Sequence, residues 1–107
     1  MDDQIYSYHA EMCKVFSHPK RLELIDLLRD EEMSVGELSE KLDLAPANLS
    51  QHLAMMRERR LLVCRKEGNT VYYRVANSKL LRVFDMLQDI LFEQIRQDAE
   101  LIHGRRG

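Results

Sequence analysis

The chain has 107 residues, 45% of them apolar, which suffices for one domain with a modest core. Its 16 basic side chains stand against 18 acidic ones, a balance that taken alone argues against nucleic acid. No run approaches the roughly 18 apolar residues of a membrane span, the acidic start Met1-Asp2-Asp3 is unlike a secretion signal, and two scattered cysteines are too few for a secreted disulfide scaffold.

A soluble cytoplasmic protein is expected, with no membrane contact and with residues 1–107 forming a single domain. Asp2 or Asp3 can cap a first helix running to about Phe16, with Ile5, Met12, Val15 and Phe16 as its apolar positions. His18-Pro19 breaks the chain and restarts it, proline being suited to the first turn of a helix. The second helix carries Leu22, Ile25 and Leu28 at three-residue spacing, flanked by Leu24 and Leu27, and frays in Asp30-Glu31-Glu32. Ser34-Val35-Gly36-Glu37 is a capping box opening a short helix with Val35, Leu38 and Leu42 inward. Leu44-Ala45 makes a turn, and Pro46 starts a fourth helix with Leu49, Leu53 and Met56 inward. Two short helices joined so tightly form a helix-turn-helix.

After Leu61 the period changes to alternation. Leu62 and Cys64 share one face, Gly68-Asn69 is a compact turn pair, and the strand from Thr70 returns with Val71, Tyr73 and Val75 inward. A hairpin directly after a helix-turn-helix predicts a mainly α fold with a small β-hairpin, the winged helix-turn-helix. Asn77 or Ser78 caps a last helix continuing to about Ile102, with Gly104 as its stop. That helix is apolar nearly all round, with Leu80, Leu81, Val83, Phe84, Leu87, Ile90, Leu91, Phe92 and Ile95 in sixteen positions. Such a helix needs cover on several sides, and a second copy, pairing through the first and last helices, is the simplest source.

Charge is segregated along the chain. Between Pro46 and Val75 the bases are Arg57, Arg59, Arg60, Arg65, Lys66 and Arg74, against Glu58 and Glu67 alone; the remainder is net acidic. A chain so arranged can be acidic on average and still present one face to a phosphate backbone. In a helix-turn-helix the second helix enters the major groove. Its outward positions are read as Ala47, Asn48, Ser50, Gln51, His52, Met55 and Arg59. Asn and Gln amides pair two-pronged with adenine, Ser reads donor or acceptor, and Ala offers a methyl-sized contact. His52 can donate to a base or phosphate, or instead tie down a helix end. Arg57, Arg59 and Arg60 fall late in the helix, where phosphates are the expected partners. Arg65, Lys66, Asn69 and Arg74 on the hairpin suit a minor groove or phosphate. A homodimer on a double-stranded DNA operator of inverted-repeat form follows.

Several of these residues form recognisable strings: Phe16-Ser17-His18-Pro19-Lys20-Arg21-Leu22, Glu37-Leu38-Ser39 with Leu42, Leu49-Ser50-Gln51-His52-Leu53, Arg57 through Leu62, Lys66-Glu67-Gly68 and Val71-Tyr72-Tyr73-Arg74. Through them the chain resembles the arsenical-resistance-repressor (ArsR/SmtB) family over about residues 10 to 90. The resemblance implies a dimeric operator-binding repressor, released when it senses a metal ion, a metalloid or reactive sulfur. Ala45 departs from the Ser or Thr often found before the family's recognition helix and leaves that end less well capped.

The sensor is not legible. Ser34-Val35-Gly36 replaces the family's Cys-x-Cys, and the last helix lacks its Asp-x-His, Leu87 standing two residues after Asp85. Asp85, Asp89 and Glu93 form a stripe better read as a solvated face. No metal and no cofactor is expected. Cys13 and Cys64 remain as a candidate thiol sensor; His9, one turn before Cys13, can share a metal with it, aided by a partner subunit. Alternatively Cys13 lines the interface of the terminal helices and Cys64 packs under the hairpin. Catalysis is not expected: no phosphate loop or nucleophile elbow is present, and His9, His18, His52 and His103 lie in separate elements. The alternative function is a winged-helix protein-docking module without DNA binding.

Overall fold

At His18 the backbone extends (φ −134°, ψ 127°), and this one residue divides the first helical segment from the second. A computed structural model describes residues 3–106, with side chains through Leu101. Helix α1 spans Asp3–Cys13 and tightens into a 3-10 turn over Lys14–Ser17. Helix α2 (Pro19–Leu27) follows, with Pro19 at its start and the His18 Nδ1 accepting the Lys20 N–H at 3.1 Å. Arg21 ties this corner together: its Nη2 donates to the Lys14 carbonyl at 2.8 Å. Strand β1 (Met33–Ser34) leads into α3 (Val35–Leu42) and α4 (Pro46–Glu58). Strands β2 (Leu62–Glu67) and β3 (Thr70–Val75) form the hairpin, and α5 (Lys79–Arg106) closes the chain.

The sheet has three antiparallel strands in the order β1-β3-β2, with Tyr73 facing Met33 on one side and Cys64 on the other. Val15, Leu24, Ile25, Leu38, Leu49 and Met56 are fully buried, and Met33, Leu62, Tyr73, Leu80 and Phe84 join them in the core between helices and sheet. The capping box at α3 is present in both directions: Ser34 Oγ accepts the Glu37 N–H at 3.1 Å, and the Glu37 carboxylate accepts the Ser34 N–H at 3.3 Å.

Four expectations are corrected. The first helix ends at Cys13 rather than Phe16, the chain tightening into the 3-10 turn that buries Val15 before the break at His18; of its apolar positions, Ile5 and Met12 stand about half exposed. Asp2 as a cap lies outside the described residues. The segment after α2 contains β1, whose two residues pair with β3 and place Met33 in the core. Cys64 is exposed although it pairs with the buried Tyr73, because β2 is an edge strand of the sheet. Finally, α5 passes through Gly104 to Arg106; glycine permits a left-handed stop without imposing one.

Candidate nucleic-acid interface

The turn between α3 and α4 is fixed from several sides. Asp43 adopts the left-handed conformation (φ 51°), and the Leu44 N–H reaches back to the Ser39 carbonyl at 3.1 Å. Ser39 Oγ donates to the Leu44 carbonyl at 2.6 Å, and Lys20 Nζ donates to the Leu42 carbonyl at 2.7 Å, tying α2 to the end of α3. Ala45 supplies no side-chain cap to α4, as its side chain dictates; Pro46 at the first position needs none for its own nitrogen.

With Leu49, Leu53 and Met56 buried, helical geometry turns Ala47, Asn48, Ser50, Gln51 and Arg57 to solvent. Ala54 joins them on the same exposed face, a residue missed in the sequence although it lies three and four positions after Gln51 and Ser50. From Ala47 through Arg57 this face carries no acid and no large exposed apolar side chain.

Three outward assignments on α4 change. Met55 packs against the core cluster, adding to the apolar side of the helix. His52 is half-buried, its ring 4.5 Å from that of His18 and tilted by 57°. Burial, then His18 and Arg21, push the His52 imidazole below its ordinary pKa. Arg59 turns toward α1, where its Nη2 donates to the Glu11 carboxylate at 2.6 Å, while its Nε is buried without a hydrogen-bond partner. Lys14 and then Arg59 hold the Glu11 carboxyl below its usual range.

The hairpin tip is formed by Gly68 (φ 61°) and Asn69, with glycine first as in a type II′ turn. Lys66, Asn69 and Thr70 are exposed there. Arg65, expected to reach DNA, is otherwise engaged, whereas Arg74 is exposed. The Arg65 guanidinium meets Glu32 through Nε and Nη2, donates to Glu67 at 2.7 Å and lies 4.5 Å over the Tyr72 ring. Arg74 stands at the base of the hairpin beside Asp30, Glu31 and Glu32, and it helps Arg65 hold the Glu32 carboxyl below its usual pKa. Arg65 thus neutralises an acidic corner that the sequence does not place next to it.

Cys13 and Cys64 are both free and exposed, Cys13 on the wall of a cavity between α1 and α5, Cys64 on the hairpin. Neither is packed away, contrary to the structural alternative for Cys64. Asp85, first of the acidic stripe on α5, is bound two-pronged by Arg29 at 3.0 and 2.6 Å and is not simply solvated. Among the described residues no group of three or more His, Cys, Asp and Glu side chains comes together, and no helix is long and apolar enough to cross a membrane. The side chain of His103 lies outside the described residues.

Comparison with known proteins agrees with this architecture. Residues 18–62 match the family described as "Bacterial regulatory protein, arsR family". The chain is 38% identical over 76 residues to the transcriptional activator HlyU of Vibrio cholerae, spanning 71% of this chain and 70% of that protein. It is 40% identical over 81 residues to the biofilm growth-associated repressor of Agrobacterium fabrum, spanning 76% and 69%. Among solved structures, Mycobacterium tuberculosis Rv0081 superposes with a TM-score of 0.85 at 27% identity, covering 92% of this chain and 99% of that one. The chain belongs to the arsR family of bacterial regulatory proteins and is a transcription regulator built on a winged helix-turn-helix.

Proposed function

We propose that two copies of the chain bind an inverted-repeat operator in double-stranded DNA and repress the adjacent gene. The single supporting observation is the exposed face of α4, where Ala47, Asn48, Ser50 and Gln51 offer base-reading groups free of acids. Arg57 and the hairpin tip at Lys66 and Asn69 flank that face and suit backbone phosphates. His52, Met55, Arg59 and Arg65 act behind it, positioning the helix and hairpin rather than touching DNA, while the exposed Arg74 keeps its reading as a backbone contact. Residues 1–107 serve as one DNA-binding domain whose terminal helices pair. Among the described residues, the large apolar side chains that stand exposed all belong to α1 or α5, including Tyr6, Tyr8, Met12, Leu87, Ile90 and Phe92. An exposed apolar strip of that extent calls for a partner surface. Burying the exposed half of each such side chain contributes roughly 1 kcal/mol before entropy is counted.

The docking alternative wants large apolar side chains on α4, and the one candidate, Met55, faces the core. The releasing signal is read as thiol chemistry at Cys13 and Cys64, both exposed. The test is binding of the purified chain to a duplex of random sequence as salt is raised. Affinity falling linearly on logarithmic axes supports phosphate contacts. No binding at low salt overturns the proposal.

A further inference from the structure

Between α1, the end of α4 and the start of α5 lies a cavity of about 380 Å³, within the size range of small-molecule sites. Its chemistry is lopsided. Phe16 and Leu80 give it an apolar floor, while His9, Arg59, Arg60 and Lys79 also line it. Among the described residues no carboxylate does, although Asp and Glu outnumber Lys and Arg in the chain as a whole.

Arg59 makes the imbalance specific. One edge of its guanidinium is taken by Glu11, yet its Nε is buried with no acceptor. That N–H is closed to any ligand, but the side chain as a whole is 31% exposed, and Glu11 divides its carboxylate between Arg59 and Lys14. A carboxylate matches both the charge and the planar fork of the guanidinium.

We propose that this cavity binds a small amphipathic carboxylate, its charged end on Arg59 and Lys79 and its apolar end on Phe16 and Leu80, and that occupancy alters affinity for DNA. The coupling rests on the reading of α4 as the DNA-contacting helix; the binding does not. Arg59 closes α4 and simultaneously holds α1 through Glu11, so an entering carboxylate competes with Glu11 for the group that joins the two helices. Such a coupling is reciprocal: whatever factor the ligand imposes on DNA affinity, DNA imposes on the ligand.

The experiment uses the full chain with octanoate as the probe and octanol as its uncharged counterpart, both followed by calorimetric titration. Saturable octanoate binding is expected, with octanol at least tenfold weaker. Arg59→Gln and Lys79→Gln should each weaken octanoate about tenfold or more, the scale of a lost charged hydrogen bond. Equal binding of octanol and octanoate, absence of saturable octanoate binding, or wild-type affinity in Lys79→Gln overturns the site. Should Arg59→Gln unfold, Lys79→Gln decides alone. Anisotropy on labelled duplex, with and without saturating octanoate, reads the coupling, and an unchanged affinity overturns that half. DNA bound without octanoate binding removes the cavity and leaves the DNA reading intact; octanoate bound by a chain that ignores DNA at low salt does the reverse.

Discussion

The imidazoles of His18 and His52 lie against each other, ring centroids 4.5 Å apart, joining the first residue before α2 to the second turn of α4. His18 already spends its Nδ1 on the Lys20 N–H, so the pair anchors the recognition helix to a capped helix start. The surroundings of His52, namely burial followed by His18 and Arg21, disfavour its charged form. A folded-state pKa below the ordinary 6.5 means that the unfolded chain takes up a proton first on acidification. Stability should be full above about pH 6.5 and decline as pH falls through the window below it. Glu11, Glu32 and Asp85, whose carboxyls are also held low, lose their contribution only at more acid pH, below ordinary values of 4.5 and 3.8. Urea unfolding from about pH 7 to about pH 5 should therefore show a slope that His52→Gln flattens. An unchanged slope in that variant would place the proton uptake elsewhere.

The division of labour between α4 and the hairpin predicts three distinct DNA phenotypes. Gln51→Ala should cost about 1–3 kcal/mol on a cognate site and relax base preference there. Lys66→Ala should weaken all sequences alike and lower the salt slope by about one. Arg65→Ala should leave that slope close to wild type, because Glu32 and Glu67 already occupy its guanidinium. Anisotropy titrations over a salt series separate the three. A reduced slope in Arg65→Ala would show that its ion pairs open on DNA.

Periodicity carried the fold a long way. Leu49, Leu53 and Met56 fall on one side of α4 by spacing alone, and that side fixes Asn48 and Gln51 on the other. The capping box at Ser34 and the turn at Gly68 were equally local and equally legible. What spacing does not encode is the partner a long side chain finds across the fold. Arg65 meets Glu32, 33 residues away, and Arg59 meets Glu11, 48 residues away, so charge read along the chain overstated the charge offered to DNA. Strand β1 escaped for a related reason: two residues have no period, and only pairing with Tyr72 and Tyr73 makes Met33 and Ser34 a strand. Met55 lies at the edge of the apolar arc, where neighbours rather than the helical repeat decide its burial.

Arg60 stands in the left-handed region (φ 62°) where α4 ends. Its N–H reaches the Arg57 carbonyl at 2.9 Å and the Leu61 N–H reaches that of Met56 at 2.9 Å, the paired bonds of a Schellman motif in which glycine is the usual occupant. A side chain in this conformation costs roughly 1–2 kcal/mol. Arg60→Gly should raise the unfolding free energy by about 1 kcal/mol, and Arg60→Val, branched at Cβ, should lower it. Chemical denaturation of both variants checks the sign. A less stable glycine variant would mean that the Arg60 side chain contributes more through its contacts than its backbone costs.

Beyond Phe84, α5 leaves the core, yet Leu87, Ile90, Leu91, Phe92 and Ile95 continue its apolar surface at about half exposure. Ile90 is about half exposed and belongs neither to the core nor to the side chains packed against it, so a charge there should spare the helix and the core. In a two-fold dimer the same substitution enters the interface twice, and each carboxylate must leave water for an apolar surface. Ile90→Glu should therefore yield a folded monomer by sedimentation, with helical content near wild type by circular dichroism. Two recognition helices no longer held at a fixed spacing lose the advantage of joint binding, and affinity for an inverted repeat should fall toward that for a single half-site. A dimer that survives Ile90→Glu would move the pairing surface toward α1, where Tyr6, Tyr8 and Met12 supply the other exposed apolar side chains.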